Sequence, residues 1–216
     1  MSKRLSDLQA RVLEVLAGIE PAWTLTGGAA LAGFHLGHRT TRDLDRFWHG
    51  LDSIEDVRGE VVRRLVAGGL EVTVLRTATG FGSLQVRGSE QAVVVDLVAD
   101  PVATVEQPRQ HPIRNATIAV DTKHEILVNK LCALLHRSEV RDLVDIAALV
   151  DAGGDLERAL ADAPRKDGGF SALTLGWSLS GWRIADAVRA TGVAVDVAEL
   201  ERFRERLLAK AAGDKP

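Results

Sequence analysis

The chain has no tyrosine, one methionine and one cysteine, Cys132, among 216 residues. A single cysteine excludes an internal disulfide and any cysteine-based zinc site, and suits a reducing compartment; Cys132 itself reads as a small core residue. No stretch approaches the ~20 apolar residues that a helical membrane span needs. The first residues, "MSKRLSDLQARVLEVL", carry charge through what would have to be a signal peptide's apolar segment, so the expected location is the cytoplasm, with no membrane partner. No Walker-type P-loop and no nucleophile elbow is present, and the six histidines do not assemble a ligand set. Of these, His35 and His38 lie near a glycine turn and are candidates to line a pocket. The other four read as incidental.

What remains is ordinary globular material, 46% hydrophobic and 26% charged, with a net charge of -3 that argues against indiscriminate nucleic-acid binding. Leu5, Leu8, Val12, Leu16 and Ile19 recur at helical spacing behind Ser6, predicting an opening helix that ends near Pro21. "AWTLT" (22–26) reads as a strand stopped by Gly27 and Gly28, 29–37 as a short helix, and "RDLDRFW" (42–48) as an alternating strand. Ser53 and Asp56 resemble a capping box for a helix that stops at Gly68-Gly69. Three extended runs follow at 70–76, 82–88 and 91–100, then a proline-containing loop over 101–112. Thr122 and Glu125 predict a second capping box, and helices are expected over 123–137, 139–152, 155–163, 180–191 and 196–212, with Ser138 as a cap of the second. Only the closing "AAGDKP" reads as disordered. The expected fold class is α+β: a mixed sheet flanked by helices over residues 1–120, and a helical lobe over 121–216 that completes the active site.

Asp43 and Asp45 share one face of their strand while Leu44 points the other way. Two carboxylates ~5 Å apart repel by about 3 kcal/mol at an effective dielectric of about 20. Magnesium offsets that, since it takes one or two carboxylates together with substrate phosphates. The alternative is an exposed edge whose aspartates pair with Arg39, Arg42 and Arg46. Asp96 interrupts "VVVDLV", a run apolar enough for a central strand, where an unpaired carboxylate is costly. A third acid there fits a metal site or a general base for a hydroxyl; a buried salt bridge to an arginine is the alternative. Gly27 and Gly28 form a turn whose bare backbone is able to approach phosphate. Lys130 sits within the apolar arc of its helix, between Ile126 and Leu134, where an ammonium must snorkel or find an anion. Lys130 and Arg137, one stripe further along, are candidates to hold a triphosphate's charge. Asp142 and Asp145 lie three apart on the next helix, with Arg141 placed to pair with Asp145 as a purely local alternative.

In order and spacing, "LTGGAALAGFHLGHRTTRDLDRF", "VVVDL" and "EILVNKLCALLHRSEVRDLVDIAAL" resemble the AbiEii/AbiGii-type nucleotidyltransferase toxins of the DNA polymerase β-like superfamily, over about residues 23 to 150. The resemblance implies a cofactor, Mg2+, at the D-x-D pair, nucleoside triphosphate phosphates at the glycine turn, and an active site completed by the lysine and the acid of R-D-x-x-D. Carried onto this chain, it implicates Gly27, Gly28, Asp43, Asp45, Lys130 and Asp142, and then Asp145. Arg39 joins them as a candidate substrate-binding residue. The resemblance further implies an antitoxin partner within a type IV toxin-antitoxin system and an RNA acceptor such as tRNA. An antibiotic-modifying nucleotidyltransferase and a catalytically silent scaffold are the competing expectations. Two positions depart from the family pattern: Ala29 where many relatives carry serine or threonine, and Arg46 where an apolar residue is frequent.

Overall fold

A computed structural model describes residues 4–41 and 43–213; Arg42 and the last three residues of the expected disordered tail lie outside them. The chain divides into two compact units, Met1–Thr122 and Lys123–Pro216.

In the first unit, helix α1 (Asp7–Leu16) starts at a true capping box, the Gln9 backbone N–H donating to Ser6 Oγ at 3.1 Å and the Ser6 N–H donating to Gln9 Oε1 at 2.8 Å. Strand β1 (Thr24–Thr26) runs directly into helix α2 (Gly27–Ala30), which continues as a wider π turn over Leu31–His35. Strand β2 (Asp43–His49) alternates half-buried and buried positions along its whole length. Helix α3 (Glu55–Ala67), strands β3 (Glu71–Thr77), β4 (Phe81–Arg87) and β5 (Ala92–Asp100), and the pair β6 (Arg109–Ile113) and β7 (Ala116–Val120) complete the unit. The seven strands form one mixed sheet in the order β3-β4-β5-β2-β1-β7-β6, with β2 parallel to β5 and β1 parallel to β7.

One face of this sheet is the core. Leu44 and Trp48 of β2, Leu84 and Val86 of β4, and Val95 and Leu97 of β5 are all buried on it, with Val12, Leu13 and Leu16 of α1 and Val61 and Leu65 of α3 supplying the helical layer. The period-two alternation of the strands therefore leaves Asp43, Asp45 and Asp96 on the opposite, half-buried face.

Several sequence expectations are corrected here. The 101–112 segment is not all loop, because β6 runs through it and contains Pro112. Proline cannot donate to a ladder, but β6 is the edge strand, where no partner needs that donor. Arg114, with φ of 48°, and Asn115 form the two-residue turn joining β6 to β7. Ser53 and Asp56 make no capping box: Ile54 holds the cap position of α3 without a side-chain bond, and Ser53 Oγ accepts from the Glu55 N–H at 3.2 Å.

The second unit is helical: α4 (Lys123–Arg137), α5 (Val140–Asp151), α6 (Leu156–Lys166), α7 (Ala172–Ser180), α8 (Ile184–Thr191) and α9 (Val197–Ala211). Helix α7 was not expected. It carries Leu173 and Trp177 to solvent, which hides the apolar stripe that reveals other helices. Ser138 does not cap α5; it takes φ of 45°, and Glu139 occupies the cap position without a side-chain bond. No helix among the described residues is long and apolar enough to cross a membrane.

Candidate active site

The acids are assembled by strand register. Parallel pairing of β2 with β5 sets Asp45 opposite Asp96, and Asp43 opposite Val94. Asp45 and Asp96 thus stand side by side in the middle of the sheet, with Asp43 one step along the same face. Antiparallel β4 then sets Ser83 opposite Asp96, and its Oγ donates to Asp96 Oδ1 at 2.6 Å. That short bond to a carboxylate engages Oδ1 and leaves Oδ2 outside it. Ser83 was invisible to sequence reasoning, since a serine in an alternating strand carries no signal until its neighbour is known.

Beside the acids, Gly27 adopts φ of 62°, in the left-handed region. A β-carbon at this position would fall on the Asp45 carboxylate, 3.2 Å from its Cγ and closer still to Oδ2. Glycine is therefore required twice over, by conformation and by contact. Gly28 follows without positive φ, yet a β-carbon there would lie 2.8 Å from Arg39 Nη2 and 3.4 Å from Thr41 Oγ1. Gly27 therefore neighbours Asp45, and Gly28 neighbours Arg39. Thr26, at the cap position of α2, makes no side-chain bond to the helix start.

Arg46 lies beneath the acids. Its side chain is fully buried on the core face, stacked 5.5 Å from the Trp23 ring centroid, with none of its three guanidinium nitrogens hydrogen-bonded. Burial pushes its pKa down to about 9 against the pull of Asp96 and Asp45.

Further along the same face, His49 is not incidental. Its Nδ1 meets Asp100 Oδ2 at 2.9 Å, and its Nε2 lies 3.7 Å from Oδ1 of the wholly buried Asp121. Burial disfavours the imidazolium, but the two carboxylates outweigh it and raise the pKa to about 9. His35, expected to line a pocket, shares a hydrogen bond with the Asp121 backbone carbonyl at 2.7 Å.

In the second unit, the four residues singled out from sequence form one cluster. Lys130 Nζ donates to Asp142 Oδ1 at 2.7 Å and stands 3.0 Å from Asp145 Oδ2. Arg137 grips Asp142 in a two-point fork, Nε to Oδ2 at 2.7 Å and Nη2 to Oδ1 at 2.9 Å. Both aspartates are fully buried. Burial works against the Lys130 ammonium, yet Asp145 and Asp142 more than compensate and hold its pKa above the ordinary value. The ammonium expected to hold a triphosphate is thus already matched by two carboxylates, and Asp145 is taken by Lys130 instead of the exposed Arg141.

Asp43, Asp45 and Asp96 share a face, but among the described residues no three His, Cys, Asp or Glu side chains come close enough to encircle a metal ion. Magnesium does not need such a cage. It accepts one or two carboxylates and fills its octahedron with water and phosphate oxygens, so the in-register pair of Asp45 and Asp96 beside a glycine turn fits it.

A family model described as "Nucleotidyl transferase AbiEii toxin, Type IV TA system" matches residues 11–213. No curated protein matches the chain. Among solved structures, JHP933 from Helicobacter pylori aligns with a TM-score of 0.61 at 18% identity, covering 95% of this chain and 91% of that one. A candidate nucleotidyltransferase from H. pylori aligns with a TM-score of 0.61 at 17% identity, over 98% of this chain and all of its own length (100%). At such identities the likeness is one of fold, and that fold is the α+β nucleotidyltransferase type expected from sequence.

Proposed function

Since the chain belongs to the AbiEii family of nucleotidyltransferase toxins from type IV toxin-antitoxin systems, we propose that it transfers a nucleotide monophosphate from a nucleoside triphosphate to the end of an RNA, such as tRNA. Family membership implies a nucleotide substrate, a divalent metal and an antitoxin partner; the metal proposed here is magnesium. The observation that carries the reading is the in-register placing of Asp45 against Asp96 beside Gly27.

In this scheme Asp45 and Asp96 hold the metal, and Asp43, one step along the same face, adds negative charge beside it. When bound, magnesium supplies positive charge that offsets the carboxylate repulsion and the charge of the triphosphate. Gly27 and Gly28 leave room for phosphate against bare backbone, and Arg39, lying over Gly28, adds a positive charge there. Asp96 takes the acceptor hydroxyl's proton on Oδ2, the oxygen not engaged by Ser83. The hydroxyl oxygen then bonds to the α-phosphorus, the bond to the β-phosphate oxygen breaks, and pyrophosphate leaves. In the second unit, Lys130, with Asp142, Asp145 and Arg137 around it, makes up the family motif's buried charge cluster.

The test is incubation of the purified chain with each labelled nucleoside triphosphate, magnesium and total RNA. Label should enter RNA with release of pyrophosphate, and Asp45→Asn should abolish it while leaving the melting temperature within a few degrees. Labelling that survives Asp45→Asn would remove the metal assignment; labelling of an aminoglycoside in place of RNA would replace the acceptor.

A further inference from the structure

Asp45 belongs to a row of paired residues that crosses five strands. Thr26 of β1 pairs with Asp45, Asp45 with Asp96, Asp96 with Ser83, and Ser83 with Arg76 of the edge strand β3. Directly paired residues project to the same side of a sheet, so Arg76 emerges on the face that carries the acids. At the usual strand spacing it starts about 10 Å from Asp96 and about 14 Å from Asp45.

A β-bulge puts it there. Pairing of β3 with β4 passes from Val74 opposite Leu84 to Arg76 opposite Ser83, leaving Leu75 as an extra residue. Without that insertion Arg76 would pair one position on, with Gly82, and point to the core side, where Ile54 and Arg58 at the start of α3 approach Gly82. The bulge therefore turns an arginine toward the acids and blunts an otherwise pairable edge.

A second arginine shares this surface. Arg87 of β4 lies in step with Ser83 and Gln85, and its Nε and Nη2 both donate to Gln85 Oε1, at 3.2 and 3.1 Å. Arg76, Arg87 and Thr73, opposite Gln85, are exposed. Among the described residues neither arginine makes an ion pair within 4 Å. Glu71 stands opposite Arg87 without an ion pair within 4 Å, so this face carries two exposed guanidinium groups against one carboxylate and, in line with the acids, is complementary to a row of phosphates.

We infer that the acid-side face of the β3–β4 ribbon is the acceptor track: a polynucleotide lies across it with backbone phosphates on Arg76 and Arg87 and its terminal hydroxyl at Asp96. This rests on the nucleotidyltransferase reading and assigns the place where its RNA acceptor lies. A small amino-sugar acceptor would end near the acids and offer Arg76 nothing, whereas a chain end continues past them.

The experiment compares the full-length protein with the Arg76→Gln/Arg87→Gln double variant. Binding of a fluorescein-labelled tRNA pool is titrated between low and moderate salt, alongside nucleoside triphosphate binding and thermal melting. Loss of both contacts should weaken tRNA binding about tenfold or more at low salt and make the salt dependence shallower by about one unit per lost phosphate contact. Triphosphate binding and melting should be unchanged, because both side chains are exposed. In the transfer assay, KM for RNA should rise with kcat retained. An unaltered salt slope in the variant, failure of the parent protein to bind RNA, or equal loss of triphosphate binding overturns the track. RNA binding that depends on both arginines, with no nucleotide transferred by the parent protein, supports the track and sinks the activity.

Discussion

Asp45 and Asp96 lie opposite each other on adjacent parallel strands, on one face, and Gly27 packs so closely on Asp45 that no side chain fits between them. Two like charges at that spacing, over a buried Arg46, form a pair that gains from any further cation arriving on the open side. A nucleotide with its metal is such an arrival. The geometry also separates residues that are needed for shape from those that are needed for charge, and the following outcomes are expected on that basis.

Gly27→Ala should damage the site more than Gly28→Ala. At Gly27 a methyl group meets the Asp45 carboxylate and the left-handed backbone costs about 1–2 kcal/mol. At Gly28 the nearest atom is the mobile end of Arg39. Nucleotide transfer should fall at least tenfold further for Gly27→Ala than for Gly28→Ala, with triphosphate affinity by calorimetry following the same order.

Lys130→Met should be strongly destabilising. It leaves Asp142 to Arg137 and takes the ammonium away from Asp145, both fully buried, at a cost of about 3–5 kcal/mol read from urea unfolding. Arg137→Gln removes a half-exposed partner of Asp142 and should cost about 1 kcal/mol. Equal costs for the two would mean that the buried ammonium does not anchor the cluster.

Arg46→Met should raise stability. The guanidinium is wholly buried without a hydrogen-bond acceptor, and its burial outweighs its attraction to Asp96 and Asp45, as the lowered pKa of about 9 reflects. An apolar side chain of similar length should add about 1–3 kcal/mol. A lower urea midpoint in the variant would show instead that the positive charge beneath the acids is the larger effect.

Stability should decline from about pH 6.5 to about pH 9 through His49. Its folded pKa, raised to about 9, lies above the unfolded value, so the protonated ring's bond to Asp100 and its attraction to Asp121 contribute fully below the unfolded pKa and are lost as pH rises through the folded one. The melting temperature of His49→Gln should vary less over that range. Parallel pH profiles for the two proteins would assign the decline to other groups.

Much of the site is readable in one dimension because its signals are local. Alternation in "RDLDRFW" places Asp43 and Asp45 on one side whatever lies next to them, "VVVDLV" marks Asp96 as a charge in a central strand, and the apolar arc around Lys130 demands an anion. Such arguments need only the period of a strand or a helix. They fail where a local signal is blunted, as in the proline-bearing edge strand β6 and in α7, whose large apolar residues face solvent. They fail also at caps, where Ser53 has the right chemistry one residue ahead of the cap position and Ser138 has it in a left-handed backbone.

By itself, then, the sequence determined the elements that bear the acids, the face each acid occupies, and the glycine turn that precedes them. Tertiary structure alone decided that Asp96 pairs with Asp45, that Ser83 holds Asp96, that a bulge swings Arg76 into the same row, and that Asp142 and Asp145 share one ammonium. The physical reason is that side-chain period is a property of a few consecutive residues. Strand order and register are settled only when segments far apart in the chain bury their apolar faces together.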